Sequence, residues 1–357
     1  MADNISWKVL LGDNRDTIKT LEDNSVQTVI SSPPYFGLRR YSDSADEIGI
    51  EETPEDYIKN LCDVFDDIHS KLKDDGTLWI NLGDTYASNV KEGIKKFGSK
   101  NFQEGRPGRQ NVKQPGRKLT GNLKQKDLIG IPWMFAFEMR SRGWYLRQDI
   151  LWSKLNPMPA SVEDRCTTSH EYIFLLSKTS DYYFDYKSIR EKSDTPLKEK
   201  KKEKVASNTF SFGDLTDEKI DTTIEDNKSP GHYFGAKNPV GTNRQDVGNV
   251  WEPDGTRRKR SVWEVPVSCG EAIGIQHFAT YPKKLIEPCI LAGSKPGDIV
   301  LDPFNGSGTT GVVAMEYGRS YIGCELNKDY EKIYNSRLKE AFRAYNLSQG
   351  IIIDDEK

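Results

Sequence analysis

The 357-residue chain contains no run of eighteen apolar residues, so no segment is expected to cross a membrane as a helix. It begins MADNISWKVLLGD, without a basic stretch leading into an apolar one. No secretion signal is read there, and a cytoplasmic location is expected. Cysteine is sparse: Cys62, Cys166, Cys269, Cys289 and Cys324 are scattered, odd in number and never spaced C-x-x-C. That pattern argues against a disulfide framework and against structural zinc, and no metal site is expected. A strong net charge is also missing, at −3.

The distribution of charge says more than the sum. Between Lys91 and Asp127 stand eleven Lys/Arg against three Asp/Glu. Lys198, Lys200, Lys201, Lys202 and Lys204 form a second basic cluster, and Arg257, Arg258, Lys259 and Arg260 a third. Any one such run is ordinarily a solvated loop. Together they allow a positive face on a nearly neutral chain.

Apolar patterning predicts strands at Lys8–Leu11, Val26–Ile30, Thr77–Leu82, Leu146–Trp152, Tyr172–Ser177, Ile299–Leu301 and Tyr321–Cys324. Helices are expected at Glu55–Lys73 (capped by Thr53 with Pro54 in the first turn), Ile131–Arg142, Pro282–Ala292, Thr309–Tyr317 and Lys328–Ala344. Residues 91–127 are read as a loop, ordered only with a ligand. Residues 190–260 turn polar and suggest an insertion. Alternating strands and helices imply an α/β chain with a mostly parallel sheet covered on both faces.

Two segments carry chemistry. The first is DIVLDPFNGSGTTG, Asp298 to Gly311: a strand, a glycine-rich turn, then a helix. Gly306, Gly308 and Gly311 satisfy G-x-G-x-x-G, but Asp302-Pro303-Phe304-Asn305 separate the strand from the first glycine. A pyrophosphate would meet the charge of Asp302. A ligand with an ammonium or sulfonium group suits it better, which favours S-adenosylmethionine over nicotinamide or flavin. Glu325, 23 residues beyond Asp302, ends the next strand, where a carboxylate can accept both ribose hydroxyls.

The second segment is Ser32-Pro33-Pro34-Tyr35, directly after a strand. Proline ends the ladder there, which puts the tetrapeptide at the carboxyl edge of the sheet. An exocyclic base amine is a poor nucleophile because its lone pair is delocalised into the ring. Acceptors on its hydrogens, the Ser32 hydroxyl and the Pro33 carbonyl, would return density to nitrogen. The ring of Tyr35 offers a face for a base drawn out of its stack.

With these residues in this order the chain resembles the β group of DNA amino-methyltransferases. In that group the catalytic motif precedes the cofactor motif, with target recognition between them. The resemblance covers roughly 5–90, 127–186 and 261–340. It implies a Rossmann-like sheet of seven strands in permuted order. It implies catalytic roles for Ser32, Pro33, Pro34 and Tyr35. S-adenosylmethionine would be held by Asp302, Phe304, Asn305, Gly306, Gly308, Thr309 and Glu325. The segment HFATYP, with His277 and Pro282, resembles an additional cofactor motif. LGD (Asp13) and NLGD (Asp84) match further family segments, near the adenine ring and the base pocket.

The division implied is a catalytic half at 1–186, target recognition at 187–260, a cofactor half at 261–345 and an acidic tail at 346–357. Contacts to double-stranded DNA are expected from Arg106, Arg109, Arg117 and Lys118, and from Arg244, Arg257, Arg258 and Arg260. Tyr233, Phe234, Trp251 and Trp263 lie near the second group, and for Trp263 a small local core is the simpler reading. Serine in the first catalytic position goes, in the family, mostly with N4 of cytosine and aspartate with N6 of adenine. The expected activity is therefore site-specific N4-cytosine methylation with base flipping. N6-adenine methylation is the alternative, and a DNA-binding protein without activity a distant one. A cognate restriction endonuclease and the oligomeric state, monomer or dimer, stay open.

Overall fold

The computed structural model describes residues 5–38, 40, 47–89, 93–97, 110–114, 116–117, 119–159, 162–193, 255–267 and 281–351, with 93–97 and 110–114 as backbone. In chain order these form β1 (Trp7–Leu11), α1 (Asn14–Thr17), β2 (Val26–Ser31), α2 (Pro54–His69), β3 (Leu72–Leu82), β4 (Gly93–Phe97) and β5 (Gln110–Gln114). There follow α3 (Ile131–Ser141), β6 (Tyr145–Lys154), β7 (His170–Ser177), β8 (Glu191–Lys192), β9 (Thr256–Arg257) and β10 (Val262–Val265). The chain continues with α4 (Lys283–Gly293), β11 (Ile299–Asp302), α5 (Thr309–Glu316), β12 (Ser320–Glu325) and α6 (Glu331–Ser348).

One compact unit comprises residues 1–190 and 258–357, and a second comprises Glu191–Arg257. Of the second, the structure describes the antiparallel pair β8–β9, in which Glu191 faces Arg257. The first is built on an eight-stranded sheet ordered β1-β12-β11-β2-β3-β7-β6-β10. Only β7 runs against its neighbours, and every other pairing is parallel. The sheet has one strand more than the seven expected. The extra strand is β10, whose VWEV lies parallel to β6 at the edge. Its short in-out burial, with Trp263 and Val265 inward, is too brief a pattern to stand out in sequence. The ring of Trp263 packs into the main core rather than a local one.

The strands serve two faces by simple alternation. Val29, Leu78, Phe174, Leu301 and Ile322 point to a core shared with α2 and α3. Their chain neighbours Ile30, Trp79, Leu175, Val300 and Tyr321 point to the other core, shared with α4, α5 and α6. The helical period places Tyr57, Ile58, Leu61, Phe65 and Ile68 of α2 on one buried stripe. Thr53 caps this helix by accepting from the Asp56 amide at 3.1 Å. α5 seats directly on β12 because Gly311 has no side chain: a Cβ there would lie 2.5 Å from the Tyr321 ring.

The basic stretch departs from the loop expected. Its segments β4 and β5 pair antiparallel, Gly93 opposite Gln114 and Phe97 opposite Gln110. Lysine and glutamine side chains do not prevent a ladder made by backbone groups, so composition concealed it. No helix among the described residues is long and apolar enough to cross a membrane.

Candidate active site

β2 and β11 are neighbours in parallel register, Thr28 beside Val300 and Val29 beside Leu301. Their carboxyl ends therefore release Ser32–Tyr35 and Pro303–Thr309 side by side, at the edge where open α/β sheets bind ligands. One buried carboxylate joins the two segments. Asp302, 2% exposed, accepts from the Ser31 hydroxyl at 2.5 Å and the Phe304 amide at 3.0 Å on one oxygen. Its other oxygen accepts from the Thr310 hydroxyl at 2.5 Å and the Tyr281 hydroxyl at 3.3 Å. Burial raises the Asp302 pKa and these donors oppose the rise. The Tyr281 and Thr310 hydroxyls also lie within hydrogen-bond reach of each other, and with one proton apiece they make two of the three contacts in this triangle at a time.

The glycine turn is shaped by its own backbone. Gly306 and Gly308 adopt φ of +52° and +76°, the left-handed region that favours glycine. Gly308 precedes α5, whose first residue is the buried Thr309. Arg337 of α6 reaches under the turn, donating to the Ser307 carbonyl at 2.7 Å and the Ser307 hydroxyl at 2.6 Å. Asn305 is turned inward: its amide donates to the Cys324 carbonyl and its Oδ1 accepts from Tyr321. Phe304 packs partly buried beside Phe65.

Glu325 ends β12, with one oxygen accepting from the Gly306 amide at 2.7 Å and the other from the Asn327 amide at 2.8 Å. Burial pushes its pKa up to about 7. Beside it, the Glu325 carbonyl accepts from the Gly12 amide, and the Asn14 side chain donates to the Pro303 carbonyl at 3.0 Å. The segment after β1 thus borders the turn. Asp13 itself caps α1 and pairs with Arg15, which holds its carboxyl below the usual range.

In the Ser32–Tyr35 tetrapeptide, the Pro34 carbonyl accepts from Tyr57 at 2.9 Å. The Tyr35 hydroxyl donates its proton to Glu171 at 2.6 Å, with Asn81 Oδ1 as a second acceptor within reach at 3.1 Å. Glu171 is in turn ion-paired with Lys154. Burial and the Glu171 charge raise the Tyr35 pKa far above its ordinary value, so the phenol stays protonated and donating. One side of the ring lies against Gly83, where a Cβ would come within 2.7 Å. Asp84, next along, accepts from the Gly130 and Ile131 amides at 3.0 and 3.1 Å and so tethers the start of α3.

Of the remaining candidates, Pro282 immediately precedes α4. Arg117 lies against Gly37, two residues beyond Tyr35. Arg257 bridges to Glu191, and Arg258 lies over the Tyr186 ring. The carbonyl of Arg260 accepts from Trp263. Arg106, Arg109, Lys118, Arg244 and His277, with Tyr233, Phe234 and Trp251, lie outside the described residues.

Sequence reading missed Ser31, Tyr281 and Thr310 around Asp302, and Asn81, Lys154 and Glu171 around Tyr35. Ser31 and Thr310 stand within or beside the motifs, so a search for donors to Asp302 would have met them. Lys154 and Glu171 carry no local signal: Lys154 ends β6, and only the antiparallel placement of β7 brings Glu171 to the same edge.

Removing the acceptor at the joint leaves buried hydroxyls without a partner. Asp302→Ala is expected to cost about 3 kcal/mol of stability, read by urea unfolding. Tyr35→Phe should cost about 1.5 kcal/mol. Combined with Glu171→Gln in a double-mutant cycle it should show a coupling of about 1 kcal/mol. Additive losses would mean that the Tyr35–Glu171 contact carries no energy.

Comparison with known proteins agrees with this arrangement. The DNA methylase family model matches residues 26–336. The type II methyltransferase M.SmaI of Serratia marcescens is 38% identical over 339 residues, spanning 93% of this chain and 91% of that protein. Among solved structures, the PvuII DNA methyltransferase (cytosine-N4-specific) superposes with a TM-score of 0.56 at 18% identity, covering 97% of this chain and 93% of that one. A protein of Thermus thermophilus, solved in complex with S-adenosyl-L-methionine, gives a TM-score of 0.51 at 20% identity, over 94% of each chain. A sheet edge that presents Ser-Pro-Pro-Tyr beside DPFNGSG, in a chain so matched, identifies a member of the DNA methylase family: a β-group DNA amino-methyltransferase of the N6/N4 type.

Proposed function

We propose that the chain transfers the methyl group of S-adenosylmethionine to N4 of a cytosine in duplex DNA, with that base turned out of the helix over Tyr35. The hydrogen bond from Ser31 to Asp302 carries the reading, because it holds the donor-binding turn and the tetrapeptide at one place. The residues present fit the cofactor. The Glu325 carboxylate takes the Gly306, Asn327 and Leu326 amides and has acceptor capacity left for a ribose hydroxyl. Gly306 and Gly308 bring backbone close without a Cβ. Phe304, Asn305, Thr309, Asp13, Pro282 and His277 complete the proposed holding set, with Asp302 as its joint. When bound, the cofactor supplies a methyl already activated on a sulfonium, so the protein needs no strong base or metal.

The protein's own part is to orient the amine. The Ser32 hydroxyl and the Pro33 carbonyl accept its hydrogens and return electron density to nitrogen. The Pro34 carbonyl is already engaged by Tyr57, whereas no described residue donates to that of Pro33. Stacking on Tyr35 contributes about 1–3 kcal/mol, against the few kcal/mol that unstacking costs. Asp84 orders the neighbouring wall through α3. Holding nitrogen in line with the methyl supplies much of the rate, and the proton that nitrogen sheds on gaining the methyl passes to solvent.

Serine at position 32 favours cytosine. The PvuII neighbour is named as cytosine-N4-specific, which points to the same reaction as the one to test first. Residues 187–260 are proposed as the target-recognition region between a catalytic and a cofactor half. Arg106, Arg109, Lys118, Arg244, Arg257, Arg258 and Arg260 are proposed to meet the backbone or base edges. A companion restriction endonuclease fits the type II name of the M.SmaI relative.

Modification-sensitive sequencing of DNA from cells expressing the chain, with nucleoside mass spectrometry, should find N4-methylcytosine at one short site. N6-methyladenine would overturn the base assignment, and unmodified DNA the activity. The raised pKa of Glu325 sets a second expectation. A ribose hydroxyl donates better to a carboxylate than to a carboxylic acid, so cofactor affinity should rise as pH climbs through about 7. Binding should then release protons, seen by calorimetry in buffers of different ionisation enthalpy. Glu325→Gln should abolish both the release and the pH dependence.

A further inference from the structure

Arg117 carries a cation's charge with no counter-ion among the described residues. Its Nε is buried without a hydrogen-bond partner. Among the described residues it bonds from Nη1 to the Thr85 hydroxyl at 3.4 Å. Burial alone perturbs it, disfavouring the charge. The other walls around it are largely apolar: Phe36, Pro54, Ala87, Leu119, Leu123 and Ile129. Such walls strengthen any charge interaction made among them. A guanidinium does not lose its proton in a protein, so the partial desolvation of this half-buried group, greatest at Nε, is relieved when an anion arrives.

The position of this cation is specific. Its stem lies across Gly37, two residues beyond Tyr35, where an added Cβ would fall 2.2 Å from Arg117 Cδ. Gly37 holds φ of +61° and donates its amide to the Gly49 carbonyl at 2.8 Å. Thr85 directly follows Asp84. Arg117 therefore touches the loops leaving β2 and β3, the two that would flank an everted base. Two anions are conceivable here, the carboxylate of the cofactor and a DNA phosphate. Asp302, Gly306 and Glu325 stand on the loops of β11 and β12, on the other side of β2 in the sheet. Arg117 also belongs to the stretch with eleven cations against three acids, which suits a polyanion.

We propose that Arg117 seats a DNA phosphodiester next to the nucleotide turned out over Tyr35, so that phosphate capture bears on the turn behind the catalytic tetrapeptide. This rests on the DNA methyltransferase reading above. The planar guanidinium suits a phosphate bidentately, and Gly37 leaves the room its stem needs.

The full-length protein with Arg117→Met or Arg117→Lys separates the outcomes. Binding to duplex DNA is followed by fluorescence anisotropy from low to moderate salt, alongside thermal melts and calorimetry with S-adenosylmethionine. Arg117→Met should melt at or above the wild-type temperature, since it removes a half-buried charge that has no counter-ion among the described residues. Its plot of log affinity against log salt should be shallower by about 0.9, roughly a threefold change in relative affinity between 50 and 200 mM. Arg117→Lys should keep the wild-type slope, and both should bind the cofactor as wild type does. An unchanged slope for Arg117→Met overturns the proposal. So does a loss of cofactor affinity with the slope intact, which would assign Arg117 to the cofactor carboxylate. Wild-type protein without affinity for duplex DNA would remove the underlying reading as well.

Discussion

Asp302 lies at the end of β11 with three hydroxyls and an amide aimed at its carboxylate, and the first of those hydroxyls belongs to Ser31 at the end of β2. The two residues are 271 positions apart. A buried carboxylate is unfavourable unless its lone pairs are met, and a buried hydroxyl is unfavourable without an acceptor. Each group therefore needs the other, and the need is satisfied only when β2 and β11 pair in one register. The tetrapeptide starts at the next residue, and the glycine turn starts after Pro303. The separation between the two chemical parts of the enzyme is thereby set by a hydrogen bond inside the sheet, away from solvent.

The rest of the cleft follows from strand direction. Parallel strands deliver their carboxyl ends to one edge, so the loops after β1, β12, β11, β2 and β3 arrive together. β7 runs the other way and contributes its beginning instead. That reversal places Glu171 against Tyr35, with Lys154 from β6 balancing the charge. Tyr35 is consequently held at its hydroxyl by a carboxylate and at its ring by the bare backbone of Gly83. A ring whose rotation is restrained in this way would lose less entropy on taking up the proposed base.

Charge follows a different logic at the two ends of the cleft. Around Asp302 every partner is internal, and the result is rigidity. Around Arg117 no described residue supplies a counter-ion, and the local structure carries a cost that an outside anion relieves. Proteins commonly trade stability for function in this way. The net charge of −3 conceals it, because the acids lie mainly on other elements, such as Asp63 and Asp66 of α2, which pair with Arg142.

Much was legible in the sequence because its physics is local. Strand and helix periods, the Pro-Pro stop, the left-handed glycines and the carboxylate after YIGC each depend on residues a few positions apart. The family resemblance added the permuted order in which those pieces assemble. The short edge strand β10 and the pairing of β4 with β5 were not legible, since backbone hydrogen bonds leave little trace in polar or very short segments. Asp302 was visible as an acid before a turn, but not as a joint, because its donors come from β2, α5 and the residue before Pro282. Glu171, Lys154 and the unpaired state of Arg117 depend on which loops the sheet order brings into contact. The sequence by itself determined the elements and the chemistry they carry. Only the tertiary structure decided which polar groups share a low-dielectric space, because desolvation and pairing arise from neighbours that the chain order does not name.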